Sequence, residues 1–194
     1  MKLVYYFIFL FFIYQINIIA QVSVMSFTSY SGTYQEITGG TSLGSTTTDD
    51  QYFVDPAVPS GGSTVTGPGF SIGFNFEING HVFDRFGVNA NGWISLGKSS
   101  LSPSVNMTTN SAYFPLSSTA SISPSELRTR ISALGRDLQA QTGASIRFEV
   151  IGTEPYRTLV IQWKGYRKYN SSGDNYNFQI RLNETYNTVE ICSV

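Results

Sequence analysis

Two stretches near the end of the chain, Thr158-Leu159-Val160-Ile161-Gln162-Trp163-Lys164 and Tyr176-Asn177-Phe178-Gln179-Ile180-Arg181-Leu182-Asn183, decide the fold class. In the first, Leu159, Ile161 and Trp163 take every second place. In the second, Tyr176, Phe178, Ile180 and Leu182 do the same. A period of two places one set of side chains on each face of a pleated strand, so each stretch predicts a strand with one apolar face. Before them, Ile146, Phe148 and Val150 alternate with Arg147 and Glu149; after them, Val189 and Ile191 alternate with Glu190 and Cys192. Turn residues separate all four: Glu154-Pro155, the Asn170 to Asp174 loop, and Asn183 to Asn187. Four successive strands joined by short turns predict an antiparallel sheet with one face on a core.

Further toward the N-terminus, Phe70, Ile72, Phe74, Phe76 and Ile78 alternate with Ser71, Gly73, Asn75 and Glu77, and Asn79-Gly80 follows as a hairpin signal. The return strand carries Val82, Phe83, Phe86 and Val88, whose parity breaks around Asp84-Arg85, as a β-bulge would make it do. A second hairpin signal, Asn91-Gly92, leads into Trp93-Ile94-Ser95-Leu96-Gly97. These hairpins supply a second sheet, and the packing predicted is an all-β antiparallel sandwich, jelly-roll or Ig-like. Phe74, Val88, Ile161, Trp163, Phe178 and Ile180 are expected to share its core. Between the two regions, Ala112 to Leu116 could form a short strand. Leu127, Ile131, Leu134 and Leu138 recur at helical spacing across Gly135, so residues 125–140 admit at most one short helix, or an irregular strand. Ile37 to Tyr52 and Pro56 to Pro68 read as long loops.

Met1 to Ala20 differs from the rest. Lys2 precedes an unbroken apolar run from Leu3 to Tyr14, and a small residue, Ala20, closes the segment. That order predicts a secretory signal peptide cleaved after Ala20; the run is too short for a membrane span. Residues 21–194 are then a single exported domain. The one cysteine, Cys192, cannot form an internal disulfide, so the core must suffice without staples. Charged residues make up 13% of the chain with a net charge of −1, which excludes a basic face for nucleic acid or anionic lipid. The strand pattern running into Val194 predicts a domain truncated at its C-terminal end, with an edge strand open to aggregation or to Cys192-linked dimers.

Catalysis finds little to work with. His81 is the only histidine, no G-x-S-x-G surrounds a serine, and one His and one Cys far apart do not make a zinc site. No two carboxylates stand two residues apart on one strand face. Asp49-Asp50, in a Thr-rich loop, offers the oxygen ligands a Ca²⁺ would take, and no other cofactor is implied. Tyr166 falls by parity on the outward face with Gln162 and Lys164. With Tyr169, Asp174 and Asn175 in the adjoining loop, it would suit a sugar: a ring to stack on, and amides and carboxylates to hydrogen-bond. Asn91, Gly92, Trp93 and Trp163 are expected to be structural.

Val88-Asn89-Ala90-Asn91-Gly92-Trp93-Ile94-Ser95-Leu96-Gly97, coming after Gly73-Phe74-Asn75-Phe76 and Gly80, resembles the signature of a known family. So do Arg157 to Trp163 and Asn177 to Thr185. The family is the lectin-like or nidogen-like N-terminal β-sandwich of large secreted proteins from Gram-negative bacteria with type IX secretion. The resemblance covers most of Ser23 to Ile191. It departs from the family in ending within the last strand and in placing Cys192 where an aliphatic or aromatic residue is usual. It implies a non-catalytic module, secreted or on the outer cell surface, adhesive or glycan-binding, or a spacer for downstream domains of the same chain. Glycans or cell-surface polymers would be its partners, with no membrane insertion once the signal is removed. The alternative is an accessory domain of an exported hydrolase whose catalytic part lies beyond residue 194.

Overall fold

The computed structural model describes residues 25–44, 49–58, 60–116 and 124–194. The predicted signal segment lies outside them. Residues 32–194 form one compact unit; residues 25–31 belong to a separate one and carry no strand.

The larger unit is almost wholly β. Its strands are β1 (Thr41–Gly44), β2 (Tyr52–Phe53), β3 (Thr66–Gly67), β4 (Phe70–Ile78), β5 (His81–Asn89), β6 (Trp93–Gly97), β7 (Val105–Asn106), β8 (Arg130–Ser132), β9 (Leu138–Ile151), β10 (Thr158–Lys168), β11 (Tyr176–Asn183) and β12 (Thr188–Ser193). One five-stranded sheet runs β1-β9-β10-β11-β12. The second runs β2-β5-β6-β8, with β4 also paired to β5; β3 and β7 form a separate ribbon. Every pairing is antiparallel. The four C-terminal strands are neighbours in space in their chain order, as alternation with short turns requires.

The two sheets share one core. Phe74, Phe76, Phe86, Val88 and Ile94 of the second sheet pack in one buried cluster with Ile146, Ile161, Trp163, Phe178 and Ile180 of the first. Phe148 joins them across the interface, edge-on to Phe86 at a centroid distance of 5.1 Å. The six residues expected to share the core all lie in this cluster. Trp93 is also buried, but in a second cluster with Val54, Val105 and Met107, and its indole N–H donates to Ala112 O at 2.6 Å.

Residues 125–140 fall within the alternatives of one short helix or an irregular strand, and two other local readings need correction. Residues 125–140 hold a single 3₁₀ turn, Ser125–Arg128, followed by β8 and the start of β9. Leu127, Ile131 and Leu138 are all buried, but by three different elements, so their helical spacing is coincidental. Ala112 to Leu116 is a turn rather than a strand, with Tyr113, Phe114 and Leu116 exposed. The parity break near Asp84 is real, but the surplus residues belong to β4. Between the pairs Ser71↔Arg85 and Phe76↔Phe83, β4 carries four residues opposite Asp84 alone.

Candidate functional site on the outer face of the large sheet

A polar cleft of about 460 Å³ opens where β9, β10 and β11 lose register. β10 and β11 pair regularly up to Trp163↔Phe178 and resume at Tyr166↔Tyr176, so Lys164 and Gly165 stand opposite Asn177 alone. On the other side, four residues of β9, Gln141 to Ala144, stand opposite Gly165. Gly165 makes this possible, because its φ of +72° is a left-handed conformation that L side chains avoid. Its N–H, displaced from the ladder, donates to Asn177 Oδ1 at 2.9 Å. Gln141 Nε2 ties the β9 bulge to the next loop, donating to Asp174 O at 3.0 Å.

This double bulge overturns the outward placement of Tyr166. One extra residue in β10 reverses parity, so Tyr166 joins Trp163 on the core face and is fully buried. Burial pushes its phenol up from the ordinary tyrosine value. The outer face is left with Gly143 and Gly165, neither of which has a side chain. Thr142, Lys164, Asn175, Asn177, Val194 and, from the N-terminal segment, Tyr34 and Glu36 complete the lining.

The N-terminal segment reaches the cleft as a strap across the sheet. Gln162 and Gln179 occupy positions that alternation assigns to solvent, yet both are buried. Gln162 Oε1 accepts from Ile37 N at 2.9 Å, and its Nε2 donates to Ile37 O at 3.2 Å. Gln179 Nε2 donates to Gln35 O at 2.7 Å and to Gln162 Oε1 at 2.8 Å. Lys164 Nζ meets Glu36 Oε1 at 2.6 Å, and Arg147 donates to Thr38 O and Gly39 O at 2.6 Å each. Tyr34 donates to Gln162 Oε1 at 3.3 Å. Its phenol is pushed up to about 12, mainly by burial and then by the negative charge of Glu36. No periodicity in residues 32–40 signals this segment; the nearest sign is a glutamine on each of two adjacent strands, where charged residues would do as well in water.

The predicted site residues scatter. Asn175 lines the cleft. Asp174 sits beside it and accepts from Ser171 Oγ at 2.8 Å. Tyr169 is 40% exposed beyond the end of β10, its N–H on Asp137 O. Asp49 and Asp50 lie at the other predicted site. Asp50 Oδ1 accepts from Asn91 Nδ2 at 2.5 Å, while Asn91 Oδ1 accepts from Leu138 N at 2.7 Å. Burial, then the charges of Asp50 and Asp49, raises the Asp137 carboxyl above its ordinary value. Among the described residues, no three His, Cys, Asp or Glu side chains gather in a way that could hold a metal. Asn91 and Gly92 form a buried turn; Gly92 has φ +79°, and a Cβ there would lie 2.8 Å from the Phe178 ring.

Among the described residues no helix is long and apolar enough to cross a membrane. No curated protein and no solved structure matches the chain. The profile of the family described as NIDO related matches residues 25–193, a span that takes in both sheets, the strap and the cleft. The chain therefore belongs to the NIDO-related, or nidogen-related, family.

Proposed function

We propose that this nidogen-related module is a non-catalytic, adhesive domain of the cell exterior that binds glycan in the cleft beside Gly165. The observation that carries the reading is the composition of that cleft. Two glycines leave room, and Thr142, Asn175, Asn177, Tyr34 and a Lys164–Glu36 pair supply hydroxyl, amide and opposite charges within about 460 Å³. That volume is within the roughly 300–1,000 Å³ of small-molecule sites. A lining of mixed donors and acceptors with balanced charge suits a ligand rich in hydroxyls. The chain's resemblance to surface proteins exported by type IX secretion supports placing the module on the outside of a Gram-negative cell.

Binding of the full chain to a panel of immobilised glycans tests this, with Thr142→Trp as the control. Thr142 is exposed on the β9 bulge, so the indole would fill the cleft without entering the core. Saturable binding by the parent that the variant loses supports the reading. Equal binding by both would move the site elsewhere, and no binding to any glycan would remove it.

A further inference from the structure

The strap is held as a receptor holds a peptide. Most of its hydrogen bonds with the sheet are made to its main chain: Gln162 grips both the N–H and C=O of Ile37, Gln179 takes Gln35 O, and Arg147 takes Thr38 O and Gly39 O. Three strap side chains add selectivity, the first being Tyr34, whose hydroxyl donates to Gln162 Oε1 at 3.3 Å. Ile37 is the one buried apolar anchor, and Glu36 meets Lys164. Gln35, Glu36 and Thr38 remain exposed. Side-chain amides that pair with a peptide's main chain serve any extended segment with an acidic residue before an aliphatic one.

Nothing in this recognition requires the strap to come from the same chain. Release would return Gln162 and Gln179 to water and leave the apolar cluster between the sheets covered. The segment joins β1 through Gly39 and Gly40, and Gly40 holds a φ of +71° that L side chains avoid. A neighbouring molecule carries a strap that fits by identity, including the Glu36–Lys164 charge pair. We propose that the outer face of the β9-β10-β11 sheet is an extended-peptide receptor, filled by its own strap in the isolated molecule and able to take the strap of a second copy. The tether gives the internal strap an effective concentration on the order of millimolar, so exchange is expected where copies are crowded or the internal strap is unhooked. This goes beyond glycan binding and does not depend on it.

Two full-chain variants test the exchange by complementation. Ile37→Asp spoils the strap and keeps the receptor; Gln162→Met with Gln179→Met spoils the receptor and keeps the strap. Each alone is expected to run at monomer mass in light scattering, with the amides of residues 35–37 exchanging freely. Mixed in equal amounts, they are expected to give a species of twice that mass, in which the donor strap is protected again. A mixture that stays at monomer mass with unprotected straps overturns the proposal. So does full protection of residues 35–37 in the double glutamine variant alone, since the glutamines would then not hold the strap. If either variant fails to fold, a labelled synthetic peptide of residues 32–40 titrated into an Ile37→Ser chain decides the matter. Saturable binding there, absent with the parent whose receptor is full, supports exchange; no binding overturns it.

Discussion

Trp163 and Phe178 stand opposite each other across the β10–β11 ladder and stack with ring centroids 5.1 Å apart and planes 10° from parallel. Trp163 also donates from its indole N–H to Asn89 O at 3.1 Å, which links the large sheet to the end of β5 in the other. One side chain thus fills the core, pairs within its sheet and satisfies a carbonyl of the second sheet.

Trp163→Ala should therefore be among the most damaging single changes. Loss of a large buried aromatic typically costs about 3–5 kcal/mol, and here Asn89 O also loses one of its donors, keeping Gly92 N at 3.2 Å. Urea denaturation followed by far-ultraviolet circular dichroism measures this. A loss below about 1 kcal/mol would mean that the two sheets are not joined at this point.

The strands around Trp163 were legible because alternation reports burial on one face, and β4, β9, β10 and β11 each have one face on the core. Alternation fails where the chain changes phase. Tyr166 continues the polar series of Gln162 and Lys164 when positions are counted, but Gly165 adds a residue to β10 and turns the ring inward. It fails again where a face is covered by a distant segment. Gln162 and Gln179 are polar because their partners are main-chain groups of residues 35–37, more than a hundred positions away. The folded core could be read locally, whereas the cleft depends on a bulge and a strap that local pattern does not encode.

Gly165→Ala tests the bulge directly. The left-handed backbone costs an L residue about 1–2 kcal/mol, and the added Cβ would lie 3.2 Å from Ala144 Cα. The variant should lose at least that much stability and, if β10 regains regular pairing, move Tyr166 toward solvent. Quenching of tyrosine emission by iodide would detect the exposed ring. A variant as stable as the parent would show that the bulge is not built on the conformation of Gly165.

Arg157 and Glu184 pair through two side-chain contacts at the base of the β9–β10 and β11–β12 turns, and Glu184 also accepts from Arg157 N at 3.1 Å. Arg157 reaches the other sheet as well, donating to Gly73 O at 2.9 Å and lying over the Phe74 ring. The hydrogen bond from the guanidinium holds the Glu184 carboxyl below its ordinary value. A depressed carboxyl stabilises the fold fully above its unfolded-state value, and that contribution disappears as pH falls through the folded value. The melting temperature should therefore drop in acid below the ordinary carboxylate range, and Glu184→Gln should flatten that part of the profile. Parallel acid profiles for parent and variant would assign the acid sensitivity to other groups.

Tyr34 predicts the opposite, alkaline limit for the strap. Its phenol is raised from 10.0 to about 12, chiefly by burial, with Glu36 adding to the rise and Arg181 opposing it. A raised value means that the docked strap favours the neutral ring. The contribution is fully present below pH 10 and is lost as pH climbs toward about 12, because only the released ring ionises easily. Cys192 lies near enough to feel the phenolate, so the measurement belongs in a Cys192→Ser background. The protection of the Ile37 amide, taken against its intrinsic exchange rate at each pH, should fall over that window while the amides of β10 stay protected, and Tyr34→Phe should remove that fall. If Ile37 and β10 lose protection together, the strap and the sheet open as one unit, and the phenol of Tyr34 does not control the strap.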